Sequence, residues 1–120
     1  MEPVKRILIA DDNRDHADTL AVLLADEGYR VRTSYDGRSA LEAAREFRPH
    51  VVVLDIRMPA MTGFEAARAF SRQAGADRPV LIAITASPAE SDQLRATMSG
   101  FDHYLGKPVA PGDIIKLLGP

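Results

Sequence analysis

The sequence contains no cysteine, which excludes disulfide bonds and thiolate metal sites. No run of lysine and arginine occurs in the 120 residues, and the formal net charge is −2, so neither a nucleic-acid-binding face nor a basic membrane patch is indicated. The longest apolar run is far shorter than the roughly 18 residues that cross a bilayer. The N-terminal stretch MEPVKRILIADD becomes acidic before a signal-peptide core could form. We therefore expect a cytoplasmic protein without membrane attachment.

The composition is that of an ordinary globular protein. Hydrophobic residues make up 46% of the chain and charged residues 27%, which is enough to build a buried core with a charged surface. A length of 120 residues suits one compact domain. We therefore predict that residues 1–120 form a single domain.

Five short segments have the composition of β-strands. Three are nearly continuous apolar runs rich in valine and isoleucine, which is typical of strands covered on both faces. The other two mix apolar and polar residues, as expected of strands nearer to solvent. In chain order the segments are ILIA (7–10), YRVRTS (29–34), VVVL (51–54), VLIAI (80–84) and FDHYLG (101–106).

Helical spacing of apolar residues follows each of these segments. The first helix is predicted to begin after Asn13. Thr62 and Glu65 have capping-box spacing at the start of the third, and Ser87 is predicted to cap the fourth. A short amphipathic segment, 111–118, forms the last.

This alternation predicts a parallel sheet between two layers of helices, with right-handed crossovers. The expected fold class is α/β: a doubly wound, five-stranded parallel sheet of order 2-1-3-4-5, flavodoxin-like and of (βα)5 type. That order places strands 2 and 5 at the edges of the sheet. These are the two less apolar segments, so the composition of each strand agrees with its place.

Polar side chains follow strands 1, 3, 4 and 5 of this predicted sheet. Asp11 and Asp12 follow strand 1, Asp55 follows strand 3, and Thr85 and Lys107 follow strands 4 and 5. Taken singly, each has an ordinary explanation as a helix cap, a turn residue, a strand residue or a surface lysine. Ligands of open parallel sheets bind at the carboxyl ends of the strands, near the point where the winding reverses. The convergence of all five residues there favours a functional site.

Three carboxylates in one cleft would repel one another. Two unit charges at about 4 Å repel by about 4 kcal/mol at an effective dielectric constant of about 20. A hard divalent cation relieves this repulsion, and a site with few carboxylates and open positions suits Mg²⁺. A lysine and a threonine opposite the metal can bind phosphoryl oxygens. Asp55, on the central strand, is then the candidate nucleophile for an aspartyl phosphate.

Four motifs occur in this order between residues 7 and 109: ILIADDN, VVVLDIRMPAMTG, VLIAITA and FDHYLGKPV. Together they resemble the receiver domain of two-component response regulators. The resemblance implies that Asp55 is the phosphoacceptor and that the donor is a histidine kinase or a histidine phosphotransfer protein. It also implies a signalling receiver that catalyses its own phosphorylation and dephosphorylation, rather than an enzyme. The output partner stays unknown.

The resemblance implies a set of metal ligands as well. Asp12 and Asp55 would bind Mg²⁺ directly, Asp11 would act through a water molecule, and the backbone carbonyl of Arg57 would complete the protein ligands. The histidines at positions 16, 50 and 103 do not form a plausible ligand set. No role is assigned to them.

The same resemblance implies which residues contact or influence the phosphoryl group. Thr85 and Lys107 would hold its oxygens, and Tyr104 resembles the switch aromatic that turns inward when Thr85 moves. The bond from Lys107 to the following proline resembles the family's usual cis peptide. Arg57 and Ser87 lie at positions that influence how long the phosphoryl group lasts, and we predict that Arg57 affects this lifetime.

Family members often use the face around helix 4, strand 5 and helix 5 for output. Here the last helix has barely two turns, so this face is expected to be reduced. The segments ADDN, GFDH and GKPV are similar to receivers attached to hybrid histidine kinases. A free-standing receiver and a receiver from such a kinase both remain open.

The sequence gives less support to other functions. A phosphatase of the haloacid-dehalogenase type would need a second aspartate two residues after the nucleophile, where this chain has Arg57. A flavodoxin-like FMN site would need a phosphate loop rich in Ser, Thr and Gly, whereas ADDN would repel phosphate. A receiver-like module that is never phosphorylated would not need the complete acceptor set. A transcription factor would need a DNA-binding domain outside these residues.

Overall fold

The computed structural model describes residues 4–73, 78–86 and 90–118. Five strands alternate with five helices along these residues, as the sequence predicts. The strands are β1 (Arg6–Ala10), β2 (Arg30–Ser34), β3 (Val51–Asp55), β4 (Val80–Thr85) and β5 (His103–Gly106). The helices are α1 (Arg14–Asp26), α2 (Gly37–Phe47), α3 (Gly63–Gln73), α4 (Glu90–Ser99) and α5 (Pro111–Leu118).

The strands form one parallel sheet in the order β2-β1-β3-β4-β5, so the predicted topology is confirmed. Ile7 of β1 pairs with Val31 of β2 on one side and with Val51 of β3 on the other. The chain therefore winds in one direction from β1 to β2 and in the opposite direction from β3 onward. This reversal places the switch point between β1 and β3, where open sheets bind their ligands.

Successive residues of the central strands pack on opposite faces of the sheet. The face toward α1 and α5 contains Ile7, Ile9, Val51, Val53, Ile82 and Ile84. The face toward α2, α3 and α4 contains Leu8, Ala10, Val52, Leu54, Leu81 and Ala83. Full burial of one valine, leucine or isoleucine stabilises the fold by about 1.5–3 kcal/mol. The central strands are therefore held by apolar packing on both faces, and their ends provide a firm base for a site.

Two predicted helix starts are observed. The Asn13 side chain accepts a hydrogen bond from the His16 N–H at 3.1 Å, so Asn13 caps α1. At α3, the Glu65 N–H donates to Thr62 Oγ1 at 3.2 Å and the Thr62 N–H donates to Glu65 Oε1 at 3.4 Å, which is a capping box. The predicted cap of α4, Ser87, lies outside the described residues.

Gly63 allows α3 to begin in contact with the end of β3. A Cβ atom at this position would lie 2.6 Å from the Asp55 carbonyl oxygen and 2.7 Å from the Ile56 Cα. Both neighbours are backbone atoms, so the strand end itself would have to shift. We expect Gly63→Ala to lower the free energy of unfolding by about 1–3 kcal/mol, as overpacking does elsewhere, measured by urea denaturation.

Gly112 provides the matched control. It lies in α5, and a Cβ there would meet nothing within 4 Å. Because alanine favours helix over glycine, Gly112→Ala should leave stability unchanged or raise it by up to about 1 kcal/mol. Equal unfolding midpoints for the two variants would contradict the close approach of α3 to β3.

Candidate functional site

Four of the predicted site residues lie at the carboxyl edge of the sheet. Asp11 directly follows β1, Asp55 is the last residue of β3, and Thr85 is the last residue of β4. Lys107 directly follows β5, and its N–H donates to the Thr85 carbonyl oxygen at 2.7 Å. Because all the strands are parallel, these side chains belong to one rim, at the switch point.

The Lys107 side chain joins two of the acids. Its Nζ lies 3.0 Å from Asp11 Oδ2 and 3.0 Å from Asp55 Oδ2. Burial alone would lower the pKa of this lysine, but the hydrogen bonds and charges of Asp55 and Asp11 outweigh burial and raise it. Lys107 therefore stays positively charged between two carboxylates. The bond from Lys107 to Pro108 is cis, as the resemblance implied.

Asp55 is almost completely enclosed, with 6% of its side chain exposed. Burial and the neighbouring Asp11 carboxylate raise the pKa of Asp55 to about 6, although Lys107 and the Arg57 N–H oppose them. The Arg57 N–H donates to Asp55 Oδ1 at 3.1 Å. Asp55 is thus ionised at neutral pH by a smaller margin than an exposed aspartate, and an added cation would favour its ionised form.

Asp11 is fully buried, yet its carboxylate is well supplied with donors. Oδ1 accepts from the Asn13 N–H at 3.0 Å, and Oδ2 lies 2.6 Å from Nδ1 of His16. Burial alone would raise the pKa of Asp11, but hydrogen bonds with Asn13, Asp55, Lys107 and His16 together lower it. Within the interacting pair, the negative charge therefore rests first on Asp11 rather than on Asp55.

Asp12 is exposed and completes an acidic cluster. One ligand atom each from Asp11, Asp12 and Asp55 lies within 4.8 Å of the others. Lys107 supplies one positive charge to these three carboxylates, so the cluster stays negative when all three are ionised. An oxygen-only donor set with residual negative charge fits a hard divalent cation. These three residues can therefore hold a metal ion.

The other predicted residues that the structure describes differ in their burial. Thr85 is fully buried. Tyr104, on β5, packs against the core on the α3 and α4 side, and its hydroxyl oxygen is buried. Arg57 is mostly exposed, and its Nη2 lies 3.4 Å from Asp92 Oδ2 on α4. Ser87 lies outside the described residues.

His16 is a residue of this site that sequence reasoning missed. It lies in the first turn of α1, three residues after the cap Asn13, and its ring contacts Asp11. Its position in the sequence could have suggested a role, because the first turn of a helix that starts at the rim is close to the end of the strand. The contact between His16 and Asp11 could be identified only from the three-dimensional structure.

Several known proteins are similar to this chain in sequence. A family model described as the response regulator receiver domain matches residues 7–119. The response regulator MprA of Mycolicibacterium vanbaalenii is 38% identical over 110 residues, which are 92% of this chain and 47% of that protein. The DNA-binding response regulator MtrA of Mycobacterium leprae is 33% identical over 111 residues, which are 92% of this chain and 48% of that protein. The chain thus spans about half the length of these relatives.

Solved structures share the fold over nearly the full chain. The chemotaxis protein CheY4 of Vibrio cholerae has a TM-score of 0.90 at 30% identity, covering 97% of each chain. A CheY-like receiver domain protein from Methanospirillum hungatei has a TM-score of 0.86 at 27% identity, covering 97% of this chain and 91% of that one.

Within the described part of this chain, no helix has the length and apolar character needed to cross a bilayer.

Proposed function

This chain belongs to the response regulator receiver family, and from that premise we propose that Asp55 accepts the phosphoryl group and that Mg²⁺ is the metal it requires. The observation that carries the proposal is the position of the Lys107 ammonium group, 3.0 Å from the Asp55 carboxylate. Asp55 in turn lies close to two further acids, Asp11 and Asp12, with one ligand atom of each within 4.8 Å of the others. A buried carboxylate beside an ammonium ion and metal-ligating oxygens combines the nucleophile with the positive charge that phosphoryl transfer needs.

In the proposed reaction, an Asp55 carboxylate oxygen attacks the phosphorus atom of a phosphohistidine. The new P–O bond forms as the P–N bond breaks, and the donor imidazole leaves with the electron pair of that bond and takes up a proton. Lys107 and the Thr85 hydroxyl then stabilise charge on the phosphoryl oxygens. Bound Mg²⁺ would supply further positive charge to the same oxygens.

For the metal, we propose Asp12, Asp55 and the Arg57 carbonyl as direct ligands, with Asp11 acting through water. The hydrogen bonds around Asp11 support this division. Both Asp11 oxygens already accept hydrogen bonds from the protein, whereas the Asp12 side chain is exposed. An exposed carboxylate can turn toward an ion without breaking existing contacts. Asp11 would have to break hydrogen bonds to the protein if it turned toward an ion.

The donor is proposed to be a histidine kinase or a histidine phosphotransfer protein, and a cytoplasmic location is part of this proposal. The DNA binding named for MtrA belongs to that longer protein. We propose a receiver that catalyses its own phosphorylation and dephosphorylation rather than a turnover phosphatase. The residue two positions after Asp55 supports this choice, because Arg57 is a cation in contact with Asp92 and cannot serve as a carboxylic general acid.

Phosphorylation is proposed to draw Thr85 and Lys107 toward the new oxygens and to stabilise the inward position of Tyr104. The Tyr104 ring is already partly buried, so phosphorylation would shift a population toward an accessible state rather than create a new one. The output surface would include α4, where Leu94 is 65% exposed and Met98 is 76% exposed. Both side chains offer apolar area to a partner.

Incubation with acetyl phosphate tests the phosphoacceptor proposal without a kinase. In Mg²⁺ we expect the intact mass to increase by one phosphoryl group, as the P–O bond of the donor breaks and acetate leaves. In excess EDTA the labelling rate should fall by at least about 10-fold, because three carboxylates then face the anionic donor with only Lys107 to offset them. Mass spectrometry of timed samples measures both rates.

Borohydride reduction of the labelled protein converts an aspartyl phosphate to homoserine, and peptide mapping then locates it. Homoserine at position 55 is the expected result. Labelling at the same rate in EDTA would contradict the role of the metal. Absence of labelling by acetyl phosphate and by purified phosphohistidine donors would contradict the proposal itself.

A further inference from the structure

Asp11 depends on two side chains for its position, and only one of them is free to remain in place during phosphoryl transfer. The Lys107 ammonium contacts both Asp11 and Asp55. Under the proposed function, Lys107 moves toward the phosphoryl oxygens, and its contact with Asp11 weakens. His16 has no such second task, since its only side-chain hydrogen bond to a described residue is the one to Asp11.

The geometry of the His16 contact is well defined. Its Nδ1 lies 2.6 Å from Asp11 Oδ2, and because a carboxylate oxygen only accepts, Nδ1 carries the hydrogen of this bond. The ring is 20% exposed, and its Nε2 is buried without a hydrogen-bond partner among the described residues. Its backbone is also fixed, because the His16 N–H donates to the Asn13 cap. The imidazole is therefore a donor aimed at one oxygen, on a backbone that is itself tied to the helix cap.

We propose that His16 is a positioning residue of the metal site, whose Nδ1–H holds the Asp11 carboxylate in the orientation that Mg²⁺ binding requires before and after Lys107 moves. The inference rests on the proposed function, because it assigns Asp11 to the metal. Removal of a hydrogen-bond partner of a metal ligand typically lowers metal affinity by about 10–100-fold. His16 acts on Asp11, which contacts the metal through water, so we expect an effect at the lower end of this range. His16 would thus act on the metal through Asp11, without contacting it.

The test uses three substitutions and titration calorimetry with Mg²⁺ alone. His16→Leu retains volume but has no donor, and should weaken Mg²⁺ binding by about 10-fold. His16→Asn places an amide N–H near the position of Nδ1, and should bind Mg²⁺ within about 3-fold of the wild type. His16→Gln places its amide nearer to the position of Nε2, and should not restore affinity. His103→Asn, on β5, is the control for loss of a histidine elsewhere.

A merely structural role for His16 would lower the unfolding midpoint and leave the Mg²⁺ affinity of the folded fraction unchanged. Such a result for His16→Leu would overturn the inference. If His16→Leu does not fold, equal Mg²⁺ affinities of the Asn and Gln variants would overturn it instead. Wild-type protein that binds Mg²⁺ but is not phosphorylated would overturn the proposed function alone. Wild-type protein that binds no Mg²⁺ would overturn both.

Discussion

Asp55→Asn is expected to abolish phosphorylation by acetyl phosphate, with a loss in rate of at least about 1,000-fold. Asparagine has nearly the shape of aspartate, but its neutral amide is a poor nucleophile toward phosphorus. The site keeps Lys107 and two acids, so the loss would come from removal of the Asp55 carboxylate, which is both the proposed nucleophile and a proposed metal ligand. Intact-mass spectrometry at matched protein, Mg²⁺ and donor concentrations measures the effect.

Asp26→Asn is the matched control for this substitution. Asp26 is the exposed last residue of α1, far along the helix from the rim, so the same chemical change should leave labelling unaffected. Labelling of Asp55→Asn at the wild-type rate would contradict the assignment of the acceptor. Borohydride reduction would then show whether Asp11 or Asp12 carries the phosphoryl group.

Loss of labelling in Asp55→Asn should not come from unfolding. The pKa of Asp55 is raised to about 6 in the folded protein from 3.8, which means that folding disfavours its ionised form. Replacing it with a neutral group removes that unfavourable charge at neutral pH. The variant is therefore expected to unfold at a urea concentration at least as high as the wild type in EDTA.

The fold could be predicted from the sequence because each strand shows its surroundings in its composition. Residues 51–55 are buried on both faces, and the VVVL run predicted this. The mixed composition of β2 and β5 likewise matches their edge positions. The convergence of Asp11, Asp55 and Lys107 followed from topology alone, since the carboxyl ends of parallel strands share one edge. No side-chain detail was needed.

The side-chain contacts could not be predicted in the same way. Composition and spacing do not distinguish the neighbours Asp11 and Asp12, to which only the family resemblance gave different roles. In the structure one is fully buried and the other exposed. The difference arises because β1 ends against Ser34, whose carbonyl accepts the Asp11 N–H and keeps that residue within the sheet edge. Similarly, the His16 contact depends on how α1 leaves the rim. Local spacing does not encode that direction.

The pairing of Arg57 with Asp92 is another example. The two residues lie 35 positions apart, and each alone resembles an ordinary surface charge. Their contact links the loop after the acceptor to α4, and it depends on the placement of α4 over the sheet. With 68% of the Arg57 side chain exposed, this ion pair contributes at most about 1 kcal/mol. The influence of Arg57 on the lifetime of the phosphoryl group stays a prediction.

Lys107→Met is expected to lower the free energy of unfolding by about 3–5 kcal/mol in EDTA at about pH 8, because removing one partner of a buried ion pair leaves its charge uncompensated. Methionine keeps most of the side-chain volume, so the change isolates the ammonium charge. Here one lysine compensates two acids, Asp11 and Asp55, whose side chains are 0% and 6% exposed. Urea denaturation measures the loss, and Lys116→Met, on the exposed side of α5, is the control.

The pH dependence of this loss distinguishes charge from packing. Lys107 has a raised pKa, so it stays protonated below the unfolded pKa of 10.5, and its own titration adds no pH dependence in the acidic and neutral range. Asp55 has a folded pKa of about 6 against 3.8 when unfolded, and without Lys107 the folded value should rise further. Between these values the folded state binds the extra proton, so stability increases as pH falls. The cost of Lys107→Met should therefore shrink by at least about half from about pH 8 to about pH 5.

Adding Asp55→Asn to Lys107→Met should recover part of the lost stability at about pH 8. The gain in the free energy of unfolding should be larger in the Lys107→Met background than in the wild type. The reason is that the double variant leaves only Asp11 and Asp12 to repel each other, with His16 and the Asn13 N–H still holding Asp11. Additive effects of the two substitutions, with no change in cost between the two pH values, would show that Lys107 acts by packing. Coupled effects would show that it acts as the counter-charge of the acceptor, which is also what a phosphoryl group entering this site requires.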